Sequence, residues 1–224
     1  MTVLEDFLNN QADPKLSGFL TNSIRRGYSS FSELVKREPE LQLRDARNSY
    51  GYSRHIFVDI VLKRDVLNSK IDFKLKTIQI PENGYTYLVI EHKNSIITVH
   101  KTNSKKGLPV KAVNRTKQSH INSGVPFDYP QLSLFENPPL EQDMISPDQM
   151  YLMVTYGGTK YKLDYVNIGM PNDGVTSWID IKDITNSLTT FEAVSATEQK
   201  EIDLEFQKEV KLMLEREKKN GGQI

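Results

Sequence analysis

Hydrophobic residues follow two periods along this chain, and the switch between them divides it. Up to about residue 68 they recur every three or four positions, the spacing of one helical face. Thr2 followed by Glu5 fits a capping box ahead of Leu4, Phe7 and Leu8. Asp13-Pro14 marks a second start with Pro at the first helical position, and Leu16, Phe19, Leu20 and Ile24 share a face beyond it, weakened by Gly18. Arg25 and Arg26 suit the negative end of a helix and Gly27 suits its stop, so the spacing predicts a break there. Ser30 with Glu33 then caps a third, shorter helix that ends before Pro39. Residues 56–62 are apolar except for Asp59 and fit either a buried strand or a buried helix; Ser53 as a cap and the length of 54–67 favour the helix.

From Lys70 the period becomes two. "KIDFKLKTIQI" puts Ile71, Phe73 and Leu75 on one face, "PENG" turns the chain, and "YTYLVIEH" returns. A second tight turn at Lys93-Asn94 or Asn94-Ser95 leads into "SIITVHK", giving a three-stranded antiparallel meander with Lys74 opposite Glu91 and Asp72 opposite Lys93. "YLMVTYGGTKYKLDYVNIGM" reads as another hairpin, turning at Gly157-Gly158 and ended by "PNDG"; Trp178, Ile179 and Ile181 form a last short strand. Ser195 with Glu198 caps a long amphipathic helix with Ile202, Phe206, Val210 and Met213 on one face, stopped by Asn220-Gly221. The expected class is α+β: N-terminal helices (1–68), an antiparallel sheet of two hairpin or meander units (69–191) interrupted by a long connection (102–150), and a C-terminal helix (192–224), all in one compact domain.

Composition narrows the function classes. The chain has 224 residues, 29 Lys and Arg against 29 Asp and Glu, and no Cys, which removes disulfide scaffolds, thiol catalysis and Cys-ligated metals. Its four His are scattered. No apolar run approaches a membrane span and the start lacks a basic-then-apolar leader, so a cytoplasmic protein with no membrane contact is expected. Walker-type Gly-x-x-x-x-Gly-Lys-Ser/Thr and Gly-x-Ser-x-Gly patterns do not occur.

The order of hairpin, basic segment, "QLSLF" (131–135), acidic linker, second hairpin and late Trp resembles a family of uncharacterised bacterial and phage proteins with a Gln-Leu-x-Leu-Phe element between two strand pairs. The resemblance spans about 85–184 and implies a bacterial or phage origin, but no mechanism.

Three features carry candidate chemistry. Glu91 and Lys93 form an acid-x-Lys pair at a strand end, with Asp72 across from them, the set a Mg-dependent nuclease needs. Against this, Lys74 opposite Glu91 competes for the carboxylate, and a hairpin tip is open to water. Lys101, Lys105, Lys106, Lys111, Arg115 and Lys117 form a basic segment suited to phosphates, without aromatic residues between them for base stacking; the bland reading is a solvated loop. The stripe Ile202, Phe206, Val210 and Met213 suits docking on the sheet, a protein partner or a second copy. The expectation is therefore a non-catalytic, cofactor-free binding or regulatory protein that contacts DNA, RNA or a protein through the basic segment and C-terminal helix. The alternative is a metal-dependent nuclease using Asp72, Glu91 and Lys93.

Overall fold

One helix, α2 (Leu16–Arg37), runs straight through the point where the sequence predicts a break. The computed structural model describes residues 1–80, 86–125, 149–159 and 162–187; the expected C-terminal helix and the 131–135 element lie outside them. Gly27 is a crossing point and not a stop. A Cβ there would lie 2.7 Å from Val58 Cα, so its absence lets α2 and α3 (Tyr50–Leu67) touch backbone to backbone. That packing outweighs the roughly 1 kcal/mol that Gly costs inside a helix. The arginines assigned to a helix end make tertiary bonds instead: Arg26 pairs with buried Asp65 of α3, and Arg25 donates to the Thr185 carbonyl at 3.0 Å. Ser30 is correspondingly mid-helix.

The N-terminal capping box forms as expected on α1 (Val3–Asp6), with Thr2 and Glu5 bonding reciprocally. Asp13 accepts from Lys15 N at 2.8 Å in a turn, and α2 begins at Leu16, two residues later than the expected first helical position at Pro14. Residues 54–67 are helical, but α3 starts at Tyr50, so Ser53 lies inside it and does not cap it.

The sheet has six strands in sequence order: β1 (Lys74–Gln79), β2 (Thr86–His92), β3 (Ser95–Lys101), β4 (Met150–Thr159), β5 (Lys162–Pro171) and β6 (Trp178–Asp183). The meander register is the predicted one, Lys74↔Glu91 through Gln79↔Thr86, and the second turn falls at Lys93-Asn94, with Lys93 at φ 52°. The sheet is not purely antiparallel, however. β3 and β4 pair in parallel from Ser95↔Met150 to Lys101↔Tyr156, because the long connection carries the chain back to the end where β3 began. The α+β class holds, with one mixed sheet in place of two antiparallel units.

The Gly157-Gly158 turn is also displaced. Both glycines lie in β4 at a bulge, and the pairing of β4 with β5 runs on to Thr159↔Lys162. A Cβ on Gly157 would lie 2.2 Å from the Tyr165 hydroxyl, and one on Gly158 would lie 1.9 Å from the Lys162 carbonyl oxygen. Close strand approach, and not positive φ, is what requires glycine there.

Alternation on the central strands feeds two cores. Met150, Leu152, Val154 and Tyr156 join Ile97 and Val99 against the helical layer containing Phe19, Leu20, Ile24, Tyr28, Val58 and Leu62. Tyr151 and Met153 face the other way, packing with Val175, Ile96, Leu108, Ile121 and Trp178. Within the connection, α4 (Val113–Ser119) and a 3-10 turn (His120–Gly124) bring Asn122 to this second face. Buried Asn122 donates to the carbonyls of Tyr151 (2.9 Å) and Pro171 (2.8 Å) and accepts from Tyr151 N (2.8 Å), so one side chain ties the crossover to β4 and β5.

Two stability outcomes follow. Gly27→Ala should lose about 1–3 kcal/mol in urea unfolding despite its better helix propensity, because the extra methyl meets backbone. Asn122→Ala should lose about 2–4 kcal/mol, since the buried peptide groups of Tyr151 and Pro171 lose their partners. An unchanged urea midpoint in either variant would contradict the packing or the clasp described.

Candidate anion-binding site

β2 and β3 stay paired for only three residue pairs, from Ile90↔Ile97 to His92↔Ser95. β2 goes on with β1 to Gln79↔Thr86, while β3 goes on with β4 to Lys101↔Tyr156. The two strands therefore diverge towards the Lys101 end, where α3 and α4 also deliver charged side chains.

From α3 come Arg54, His55 and Asp59. Arg54 is buried at 7% exposure; its Nε donates to the Tyr50 carbonyl at 3.2 Å, its Nη1 to the Gly158 carbonyl at 3.5 Å, and its guanidinium lies 5.5 Å from the Tyr28 ring centroid. His55 Nδ1 is 2.9 Å from the Tyr156 hydroxyl, and its Nε2 is 3.5 Å from Asp59 Oδ2, one helical turn on. From β3 come His100 and Lys101. His100 Nε2 is 2.8 Å from Thr98 Oγ1, which lies 2.8 Å from the Tyr151 hydroxyl. Arg115 of α4 completes the set, with Nη1 3.4 Å from His100 Nδ1 and Nη2 donating to the Val110 carbonyl. Arginine only donates, so His100 Nδ1 is the acceptor and Nε2 carries the proton.

Burial and like charge act together here. Burial, then Arg115 and Lys101, lower the His55 pKa; burial, then Arg115 and His55, take His100 well below the usual histidine value. Burial and then Arg54 lower Lys101. Burial also pushes the Asp59 carboxyl up to about 7, leaving the one acid of this set only partly charged near neutral pH. Lys101 and Arg115 thus lie within electrostatic reach of His55, Arg115 within reach of His100, and Arg54 within reach of Lys101.

The basic segment is only partly the solvated loop that its composition suggests. Lys101 and Arg115 are half-buried in the cluster, whereas Lys106, Lys111 and Lys117 are exposed. Lys105 pairs with Asp183 at 2.6 Å, and this contact, with Thr185, holds the Asp183 carboxyl down to about 2. The Lys105 carbonyl accepts from Asn167, and the Lys106 carbonyl accepts from Trp178 Nε1 at 3.0 Å, so the segment is strapped across β5 and β6.

The acid-x-Lys set is not assembled as a metal site. Lys76, two residues along from the predicted competitor Lys74, pairs with Glu91. Lys93 is exposed in the turn and Asp72 is exposed. Between Glu91 and Lys93, buried His92 accepts from Asp13 N through Nε2 at 3.0 Å and donates through Nδ1 to the Asp72 carbonyl at 3.0 Å. Among the described residues no three His, Asp or Glu side chains are grouped to hold a metal ion. The stripe Ile202, Phe206, Val210 and Met213 lies outside the described residues. Sequence reading missed Arg54, His55, Asp59 and His100; the signals available were the i, i+4 pair His55–Asp59 and a lone acid inside an apolar run.

The two kinds of buried group pull stability in opposite directions with pH. His100 binds a proton in the unfolded chain below about 6.5 but resists it when folded, so its contribution is lost as pH falls below that value. Asp59 binds its proton more tightly when folded, so its contribution is full below 3.8 and lost as pH rises towards 7. Asp59→Asn should therefore raise the urea midpoint relative to wild type more at pH 8 than at pH 4, and His100→Gln should blunt the loss of stability on acidification below 6.5. Parallel pH profiles for wild type and both variants would refute this assignment.

Among the described residues no helix is long and apolar enough to cross a membrane. No family model matches the chain, and no curated protein or solved structure matches it.

Proposed function

We propose that this protein binds nucleic acid through the phosphate backbone, with Lys101 and Arg115 at the centre of a cationic surface that Lys106, Lys111 and Lys117 extend. The observation that carries the proposal is the convergence of like charge. Arg115 and Lys101 act on His55, Arg115 acts on His100, and Arg54 acts on Lys101. Lys101 lies at this convergence, with its Nζ 2.9 Å from where a Cβ on Gly51 would stand, and Arg115 Nη1 is 3.4 Å from His100 Nδ1, so positive groups from β3 and α4 meet at one place that attracts a phosphate. Exposed lysines around such a centre supply the long-range attraction typical of polyanion binding. The role read here is binding: of the acids that a metal-dependent cut would use, Glu91 is held by Lys76 and Asp72 is exposed.

Fluorescence anisotropy with a labelled oligonucleotide tests this. Wild-type affinity should fall steeply between about 50 and 200 mM salt. Lys101→Gln should weaken binding and reduce the slope of log affinity on log salt by about one. The triple variant Lys106→Glu, Lys111→Glu, Lys117→Glu should weaken binding by roughly 10²-fold or more at low salt. A wild-type protein that ignores both DNA and RNA at about 50 mM salt overturns the proposal.

A further inference from the structure

Among the described residues the sheet ends in β1 and β6, each hydrogen-bonded to one neighbouring strand. An outer strand presents a row of backbone N–H and C=O groups to which another chain can add, and folded proteins blunt it with charge, a bulge or a cover. β6 carries all three. Asp180, Lys182 and Asp183 supply charge, the pairing with β5 shifts register at Met170/Pro171, and Thr2 and Lys105 reach across to Asp180 and Asp183. β1 differs. It pairs with β2 in unbroken register from Lys74↔Glu91 to Gln79↔Thr86, and every residue in it except Leu75 is exposed. Its charge is confined to Lys74 and Lys76, and Lys76 is turned back onto Glu91 of β2. The remainder, Thr77, Ile78 and Gln79, is uncharged and carries an exposed apolar side chain in Ile78.

We infer that β1 is an interface between two copies of this chain, joined edge to edge and antiparallel about a two-fold axis at Thr77. The inference stands independently of the phosphate-binding reading. A two-fold that joins antiparallel strands into one sheet is perpendicular to that sheet, so residues of the same face meet and the axis passes through a residue position. Charge then selects the position. An axis at Leu75 sets Lys74 opposite the other copy's Lys76, and one at Lys76 sets that lysine opposite itself; like charges directly opposite are destabilising. An axis at Ile78 pairs only Thr77 to Gln79 of the strand. The axis at Thr77 pairs Leu75 to Gln79 and opposes no like charges: Lys76 meets Ile78, Leu75 meets Gln79, and Thr77 meets itself, a favourable cross-strand pair. A second copy is the occupant that this self-complementary register fits. The chain's 29 basic and 29 acidic residues leave its formal net charge at zero, so no long-range repulsion keeps two copies apart.

Sedimentation velocity on the full chain between about 1 and 200 μM tests this, and wild type should dimerise within that range. Thr77→Lys and Thr77→Glu each bring like charges together at the axis and should each raise the dimer dissociation constant about fivefold or more. An equimolar mixture of the two sets lysine against glutamate and should return association towards the wild-type value. Thr77 is exposed, so both variants should keep the wild-type circular dichroism spectrum. The chain has no Cys, so oxidation of Thr77→Cys should give a covalent dimer, whereas Lys74→Cys, off the axis, should not. A wild type that stays monomeric throughout overturns the inference. So does a dimer indifferent to both charge substitutions, which would place association on another surface. A mixture no tighter than either variant alone, or equal cross-linking at positions 77 and 74, overturns the two-fold at Thr77.

Discussion

The parallel pairing of β3 with β4 is the constraint from which the rest of the molecule follows. It sets Lys101 beside Tyr156, and Tyr156 in turn holds His55 of α3. It also obliges the chain to return the full length of a strand between Lys101 and Met150. The returning segment covers the second face of the sheet, which is why β4 is buried on both sides and why Tyr151 and Met153 have a core of their own. Asn122 and the Lys105–Asp183 pair hold that segment down. Arg115 reaches His100 only because α4 lies in this crossover.

The cluster at the diverging end of β2 and β3 gathers groups whose ionisation is shifted by burial and by one another. Ion pairs elsewhere join Arg26 with Asp65, Lys76 with Glu91 and Lys105 with Asp183. In the cluster, burial suppresses the charge of the imidazoles and of Asp59. Groups whose ionisation is shifted by desolvation and like charge mark a candidate site, and structural networks shift them as well.

Some errors of sequence reading share one cause. Gly27, Gly157 and Gly158 were each assigned the role that glycine plays in isolation, a stop or a turn. Each is instead where another backbone or side chain passes too close for a Cβ: Val58, Tyr165 and Lys162 respectively. Gly51 beside Lys101 is a fourth case, at the site itself. Likewise Arg25 and Arg26, which suit a helix end, serve tertiary partners in Thr185 and Asp65. Local chemistry permits both roles, and distant contacts choose between them.

What the sequence determined alone is what short-range periodicity encodes. The capping box at Thr2, the meander register from Lys74↔Glu91, the turn at Lys93-Asn94 and the final strand at Trp178 all depend on neighbours a few residues apart. The tertiary structure alone decided the strand direction across the connection, the unbroken α2, and the meeting of His55 with Tyr156 and of His100 with Arg115. These residues lie on separate elements, and no pattern of hydrophobic spacing carries information about which distant segments will share a surface; that is settled by how the crossover packs.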